Sequence, residues 1–317
     1  MEKIRLGISA CLLGERVRFD GGHQLDRFIT ETLGQYVEFV SVCPEVECGL
    51  GVPREAMRLV GTPESPRLLT VRTKIDHTER LVAWARKRVG ELEAEGLCGF
   101  IFKSKSPSSG MERVKVYPER GQGSPVLRGV GLFARIFIEH FPTLPVEDEG
   151  RLHDPGIREN FIERLFVWRR WREFLVAGPN VGGLVAFHTR HKLLILAHSP
   201  GHYRELGRLV ARAQEMPVSA LCGHYQSRLM DALRLKATPK KNTNVLHHLM
   251  GYFKRDLTPD EKQELLEVID NYYQGYAPLI VPVTLLNHYV RKYHQPYLQD
   301  QVYLHPHPVE LQLRNHV

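Results

Sequence analysis

Ile4-Arg5-Leu6-Gly7-Ile8-Ser9-Ala10-Cys11-Leu12-Leu13-Gly14 is the stretch on which the reading of the fold turns. Residues 4–9 make a short apolar strand run, and the run closes on a cysteine and a turn glycine. Two similar runs follow, Tyr36-Val37-Glu38-Phe39-Val40-Ser41-Val42 and Gly99-Phe100-Ile101-Phe102-Lys103. Helical stretches separate or follow them. Gln24 to Leu33 is short. His77 to Glu95 sets Leu81, Ala83, Trp84, Val89 and Leu92 mostly on one face. Gly129 to His140 does the same with Leu132, Phe133, Ile136 and Phe137. Arg67 to Val71 reads as an extra strand. Strands alternating with helices predict an α/β N-terminal domain built on a parallel, Rossmann-like sheet.

The pattern then changes. Residues 141–150 hold two prolines, an acidic run and a glycine, the composition of a linker or domain edge. Domains are therefore expected at 1–145 and 146–317. Asp154-Pro155 looks like an N-cap followed by a first-turn proline. Beyond it the chain reads as all-α. Asn160 to Leu175 and Gly201 to Gln214 are helical, and Thr258-Pro259-Asp260-Glu261 is a capping box with Gly275 past the helix end.

With 43% hydrophobic and 25% charged residues over 317 positions, a disordered or fibrous chain is excluded. No apolar run reaches the roughly 18–20 residues of a membrane span. The N-terminal charges Lys3 and Arg5 (with Glu2) argue against a secretory signal, so the cytoplasm is the expected compartment. Five cysteines there suggest metal binding, catalysis or burial rather than disulfides. The net charge is +7, and all of it falls beyond residue 150, with 13 of the 16 histidines. That asymmetry suits a polyanion partner for the C-terminal half, or serves solubility alone.

Three segments follow the three core strands: Ser9 to Gly14, Cys43 to Gly51, and Lys103 to Gly110. Ligands of open parallel sheets bind outside the carboxyl ends of the strands, so these segments should converge. They carry Cys11, Cys43 and Cys48, Glu45, and the hydroxyl loop Ser104, Ser106, Ser108, Ser109. By residue type alone, Cys11 and Cys43 read equally as buried small hydrophobes. Cys98 and Cys222 read as core.

SACLLGERVRFDGG (9–22), CPEVECGLGVPRE (43–55) and KSPSSGMERVKVY (105–117) resemble the signature segments of the thiouracil desulfidase domain. RENFIERLFVWRRW (158–171), FHTRHKLLILAHS (187–199), NTNVLHHLMGYFK (242–254), LIVPVTLLNHYV (279–290) and the segment 301–317 resemble the YbgA-type domain that often follows it. Chains with both are similar to enzymes that convert 4-thiouridine in tRNA to uridine, and the first domain alone resembles enzymes acting on free thiouracil. The resemblance implies a [4Fe-4S] cluster held by three protein ligands, its fourth iron open to the substrate sulfur. By motif the ligands are Cys11, Cys43 and position 109, where the family has cysteine and this chain has Ser109. A serine oxygen is a harder and poorer ligand for cluster iron. Cys48 is an alternative third ligand, and a desulfidase of free thiouracil or a thionucleotide, a zinc site of Cys11, Cys43 and Cys48, or an inactive, cluster-free RNA-binding relative are other readings.

The remaining assignments follow from the chemistry. Glu45 is the candidate general base and proton donor, with Ser106, then Ser108, as the hydroxyl that relays a proton. Lys103 and Lys105 are candidate substrate contacts. In the helical half Arg190, Lys192, Lys240 and Lys241 are candidate RNA-backbone contacts, set in His188-Thr189-Arg190-His191-Lys192 and Lys236 to Asn242. Trp168 and Trp171 read as core. The expected partner is tRNA, with no obligate protein partner and no membrane.

Overall fold

The computed structural model describes residues 3–119 and 123–316, leaving Met1, Glu2, Arg120, Gly121, Gln122 and Val317 outside. The chain divides into two compact units between His153 and Asp154.

In the first unit, β1 (Ile4–Ser9), β2 (Val37–Val42), β5 (Gly99–Phe102) and β8 (Val146–Asp148) form a parallel sheet of order β2-β1-β5-β8. Every residue of β5 is buried, as expected of an inner strand covered on both faces. Phe100 and Phe102 pack there against Phe133 and Phe137 of α3 (Leu132–His140), with ring centroids 4.7 to 6.1 Å apart. Each such burial contributes about 1.5–3 kcal/mol. Gly7 sits where a Cβ would meet the Phe100 ring at 2.3 Å, so the close fit of β1 to β5 depends on its missing side chain. The helix expected from His77 to Glu95 is α2 (Thr78–Ala94), burying Leu81, Ala85, Val89 and Leu92.

Three expectations need correction. The segment 141–150 is not a linker: β8 pairs with β5 from Phe100↔Val146 to Phe102↔Asp148, and the division falls at residue 153 instead of 145. Its acids Glu147, Asp148 and Glu149 are buried. Arg151 donates to Glu147 at 2.6 Å, and Lys103 donates to Glu149 at 2.5 Å, which is why an acidic run can lie inside. The helix read from Gln24 to Leu33 is a wide π-type turn at Phe28–Thr32 followed by a tight 3₁₀ turn at Leu33–Gln35. Thr30 and Thr32 are β-branched, and the Thr30 hydroxyl bonds the Asp26 carbonyl, both unfavourable for a regular helix. Finally, a second, mixed sheet of four strands is present. Its strands are β3 (Met57–Gly61), β4 (Pro66–Thr70), β6 (Val114–Tyr117) and β7 (Val126–Gly129). Of these, only β4 corresponds to a strand read from the sequence, at Arg67 to Val71.

The second unit is helical: α4 (Pro155–Val176), α5 (Val181–His198), α6 (Pro200–Ala211), α7 (Val218–Arg234), α8 (Pro239–Gly251), α9 (Pro259–Tyr273) and α10 (Ile280–Lys292). The Asp154 cap accepts the Ile157 N–H at 2.8 Å, and the Thr258/Glu261 capping box is formed. Trp171 is fully buried, stacked on Tyr225 at 5.3 Å, and Trp168 is largely buried. Among the described residues no helix is long and apolar enough to cross a membrane.

Candidate active site

The three strand-end segments do converge. Cys11 stands in a 3₁₀ turn (Ala10–Leu13) directly after β1, and that turn is closed by Gly14 at φ 90°, a left-handed conformation that glycine adopts without strain. The Cys11 carbonyl accepts from Gly14 at 3.3 Å and Gln24 at 2.8 Å, fixing the turn. Cys43 caps α1 (Pro44–Glu47) after β2, which swings Glu45 over the sheet edge. The loop after β5 is docked on the start of α3. There Leu132 donates to the Pro107 carbonyl at 3.2 Å, and Phe133 donates to the Ser108 carbonyl at 2.9 Å. Gly131 makes that docking possible, because a Cβ there would lie 2.4 Å from the Ser108 carbonyl carbon. A helix N-terminus has free N–H groups, so the loop's carbonyls are held by donors that would otherwise lack partners.

Cys11, Cys43, Glu45, Lys103, Lys105, Ser106 and Ser109 all line one cavity of about 400 Å³, with Arg18, Gln24 and Arg54 in its walls. Two expected residues differ in placement. Ser108 is fully buried behind the cavity wall, where its hydroxyl donates to Glu45 Oε1 at 2.7 Å. Ser106 Oγ lies 3.0 Å from Ser108 Oγ and accepts the N–H groups of Ser108 and Ser109 at 3.3 and 3.2 Å. A hydroxyl chain therefore runs Ser106, Ser108, Glu45. Cys48 points elsewhere. Its Sγ donates to the Glu45 carbonyl at 3.3 Å, and its side chain packs with Leu59, Leu68, Leu81 and Leu132. The alternatives that used Cys48 as a ligand, for a cluster or for zinc, lose that donor.

The second carboxylate oxygen of Glu45 lies 3.7 Å from Cys43 Sγ and 3.9 Å from the Arg54 guanidinium. Arg54 is anchored by donating to the Val17 carbonyl at 3.0 Å. Spacing did not reveal Arg18, Gln24 and Arg54, because they come from connecting segments. Burial pushes the Cys11 thiol up to about 11 against the charges of Lys103 and Arg18. Burial, reinforced by Glu45, pushes Cys43 up to about 12. Both are therefore thiols at neutral pH, and a bound cation would release their protons. Lys103 is engaged by Glu149 and Ser104, whereas Lys105 is exposed at the rim.

The donor set can be tested against the implied cluster. Two soft thiols and one hydroxyl reach the same cavity, and Ser109 Oγ has Ser108 Oγ, at 3.4 Å, as its near partner. Two of the three donors are soft and position 109 is the weak one, and among the described residues no group of three or more His, Cys, Asp or Glu side chains is arranged to hold a metal ion.

In the helical unit Arg190 and Lys240 are exposed. Lys192 lies 5.1 Å from the Tyr297 ring centroid. Lys241 is committed elsewhere: its ammonium donates to the carbonyls of His198 at 2.8 Å and Lys236 at 3.1 Å, capping the end of α5. His188 and His191 are buried. Burial holds their pKa values down to about 4 and about 3, so both are neutral and turned from solvent. Arg170 is likewise occupied, donating to the Pro306 carbonyl at 2.8 Å.

A parallel sheet presenting thiols, a carboxylate and hydroxyls at its carboxyl edge, ahead of a separate helical unit, marks a two-domain class of protein. Residues 6–149 match the family model described as 2-thiouracil desulfurase, and residues 192–308 match a protein family of unknown function, DUF1722. The uncharacterized protein YbgA of Escherichia coli (strain K12) is 33% identical over 153 residues, 48% of this chain and 90% of YbgA. The chain belongs to this YbgA family, with a thiouracil desulfidase-like domain joined to the YbgA-type domain. Among solved structures, the [4Fe-4S]-dependent thiouracil desulfidase TudS is 29% identical, with a TM-score of 0.39 over 49% of this chain and 95% of TudS.

Proposed function

We propose that this protein is a desulfidase that replaces the sulfur of 4-thiouridine in tRNA by oxygen, releasing sulfide, with a [4Fe-4S] cluster held by Cys11, Cys43 and position 109. The observation that carries the reading is the convergence of Cys11, Cys43, Glu45 and Ser109 on one cavity at the carboxyl edge of the parallel sheet. Cluster iron bound there would supply a Lewis acid for the thiocarbonyl sulfur. The chain's own residues supply the rest. Water adds its oxygen to the ring carbon and sulfur leaves, so the overall change is hydrolytic and redox-neutral. Glu45 is placed to take the proton from that water and to return it to the departing sulfur. The Ser108 hydroxyl fixes Glu45 by donating to Oε1, and Oε2 faces the Cys43 thiol and the Arg54 guanidinium on the cavity side. Ser106 extends the chain of hydroxyls to the cavity surface. Arg54 balances the carboxylate charge, its guanidinium 3.9 Å from Oε2.

The excess basic charge of the helical half supports tRNA over the free base, for which a cavity of about 400 Å³ would suffice by itself. Deleting residues 154–317 tests this, since the first unit is compact in its own right. The truncated protein is expected to keep activity on 4-thiouracil and to lose most of its activity on thiolated tRNA, measured as sulfide release from each. Unchanged activity on the tRNA would reassign the substrate to the free base or nucleotide.

A further inference from the structure

Lys192 of α5, Tyr252 just past α8 and Tyr297 in the short helix Pro296–Gln299 come together on the helical unit. The two tyrosine rings are stacked, with centroids 5.2 Å apart and planes 23° from parallel. The Lys192 ammonium stands 5.1 Å from the Tyr297 centroid, close enough for a cation–π attraction that holds it beside the pair. Tyr252 is 42% exposed, so much of its ring meets water. The turn that carries it is well anchored. Phe253 is fully buried, the Tyr252 N–H donates to the Leu249 carbonyl at 3.1 Å, and Asp256 accepts from Gln295 Nε2 at 2.9 Å. That last bond ties the turn to the segment holding Tyr297 and occupies the turn's acid. Its cations stay free: Lys254 and Arg255 are exposed and in no ion pair among the described residues. A preorganised, half-exposed aromatic pair beside free cations suits single-stranded nucleic acid, with a base on the ring and phosphates on the cations. A duplex keeps its base faces stacked inside and can use the cations alone.

We propose that this surface binds an unpaired nucleotide of RNA, its base stacked on Tyr252 and its flanking phosphates neutralised by Lys254 and Arg255. Tyr297 and Lys192 back the Tyr252 ring and keep it in place. That the partner is RNA rests on the tRNA reading and on the net charge of +7, all of which falls beyond residue 150. Basic residues by themselves imply only attraction to phosphate. The tyrosine adds a preference for unpaired over duplex RNA, exerted by an uncharged side chain of the helical unit.

The test is binding of a fluorescent oligoadenylate, which carries no uracil for the catalytic cavity, and of a short RNA duplex to the full chain at low salt. Tyr252→Ala is expected to weaken oligoadenylate binding by about ten- to a hundredfold and duplex binding by less than about twofold. Tyr252→Phe should bind like wild type, because the ring stacks and the hydroxyl does not. The exposed position lets both variants fold. Replacing Lys254 and Arg255 together by alanine should lower the slope of log affinity against log salt by about 1–2 for both RNAs. An equal loss for oligoadenylate and duplex in Tyr252→Ala would overturn the proposal. So would an unchanged oligoadenylate affinity, or a Tyr252→Phe variant as weak as the alanine one. Sulfide release from thiolated tRNA keeps the two readings apart. No sulfide, with the Tyr252 effect intact, would remove the desulfidase and leave the stacking surface. Sulfide release with no Tyr252 effect on oligoadenylate would do the reverse.

Discussion

Replacing Glu45 by glutamine in the Ser109→Cys background is expected to lower sulfide release by ~10²–10⁴-fold while iron per chain stays constant. The amide keeps the carboxylate's shape and can still accept from the Ser108 hydroxyl, which now lies 2.7 Å away. What it loses is the ability to take and return a proton. Arg54 keeps its bond to the Val17 carbonyl, so the local fold has a second anchor. Ser108→Ala should cost less, about ten- to a hundredfold, because it removes only a charge-assisted hydrogen bond that orients Glu45. Equal turnover of Glu45→Gln and the parent would remove Glu45 from the mechanism.

The largest expected effect on stability lies in the helical unit. Glu163 of α4 is 3% exposed, and it accepts from Arg314 at 2.9 Å and from His198 Nε2 at 3.1 Å. Arg314 also donates to the Tyr303 carbonyl at 2.7 Å, so this cluster ties the end of the chain to α4 and α5. Burial opposes ionisation of Glu163, but the His198 hydrogen bond and the Arg314 and His198 charges outweigh it and hold its pKa well below the usual carboxylate range. Glu163→Ala leaves the buried Arg314 with Glu159, at 3.4 Å, as its remaining carboxylate and takes the acceptor from His198 Nε2, and should destabilise the unit by about 3 kcal/mol at pH 7, measured by urea denaturation. The sign of the pH dependence follows. A carboxylate whose folded pKa is depressed stabilises fully above its ordinary value of 4.5, and the contribution fades as pH falls toward the folded value. The gap between wild type and Glu163→Ala should therefore narrow below about pH 4. A loss under 1 kcal/mol at pH 7 would show that the cluster is ornamental to stability.

What the sequence disclosed and what it hid have physical causes. β1 and β5 are inner strands buried almost throughout, so they appear as near-continuous apolar runs, whereas the edge strand β2, with Glu38 and Ser41 exposed, is marked by its β-branched residues, and α2 carries a clear 3.6-residue period. β8 escaped because its edge position needs only three residues, and Glu147 within it and Glu149 just after it are paired by Arg151 and Lys103 from outside that window. The second sheet escaped for a related reason. β6 and β7 have four residues each, and Val126 to Arg128 are exposed. In the site, position after a strand end was enough to assemble Cys11, Cys43, Glu45, Ser106 and Ser109. It could not show that Cys48, five residues from Cys43, turns back into the apolar cluster, nor that Ser108 rather than Ser106 touches Glu45. Side-chain direction within a turn is set by packing, which spacing does not encode. Lys241 illustrates the same limit: a basic residue in a basic segment reads as a phosphate contact until the carbonyls of His198 and Lys236 are seen beside it.

The most direct measurement for the central claim is iron per chain after anaerobic reconstitution with iron and sulfide, compared across wild type, Ser109→Cys and Ser109→Ala. The hydroxyl at 109 shares a cavity with Cys11 and Cys43, so a thiolate there completes a set of soft donors. Ser109→Cys is predicted to retain close to four irons, in line with a [4Fe-4S] cluster, and to release more sulfide from thiolated RNA than wild type. Ser109→Ala should retain no more iron than wild type. Equal iron in the cysteine and alanine variants, or stoichiometric zinc with no iron in all three, would contradict the account.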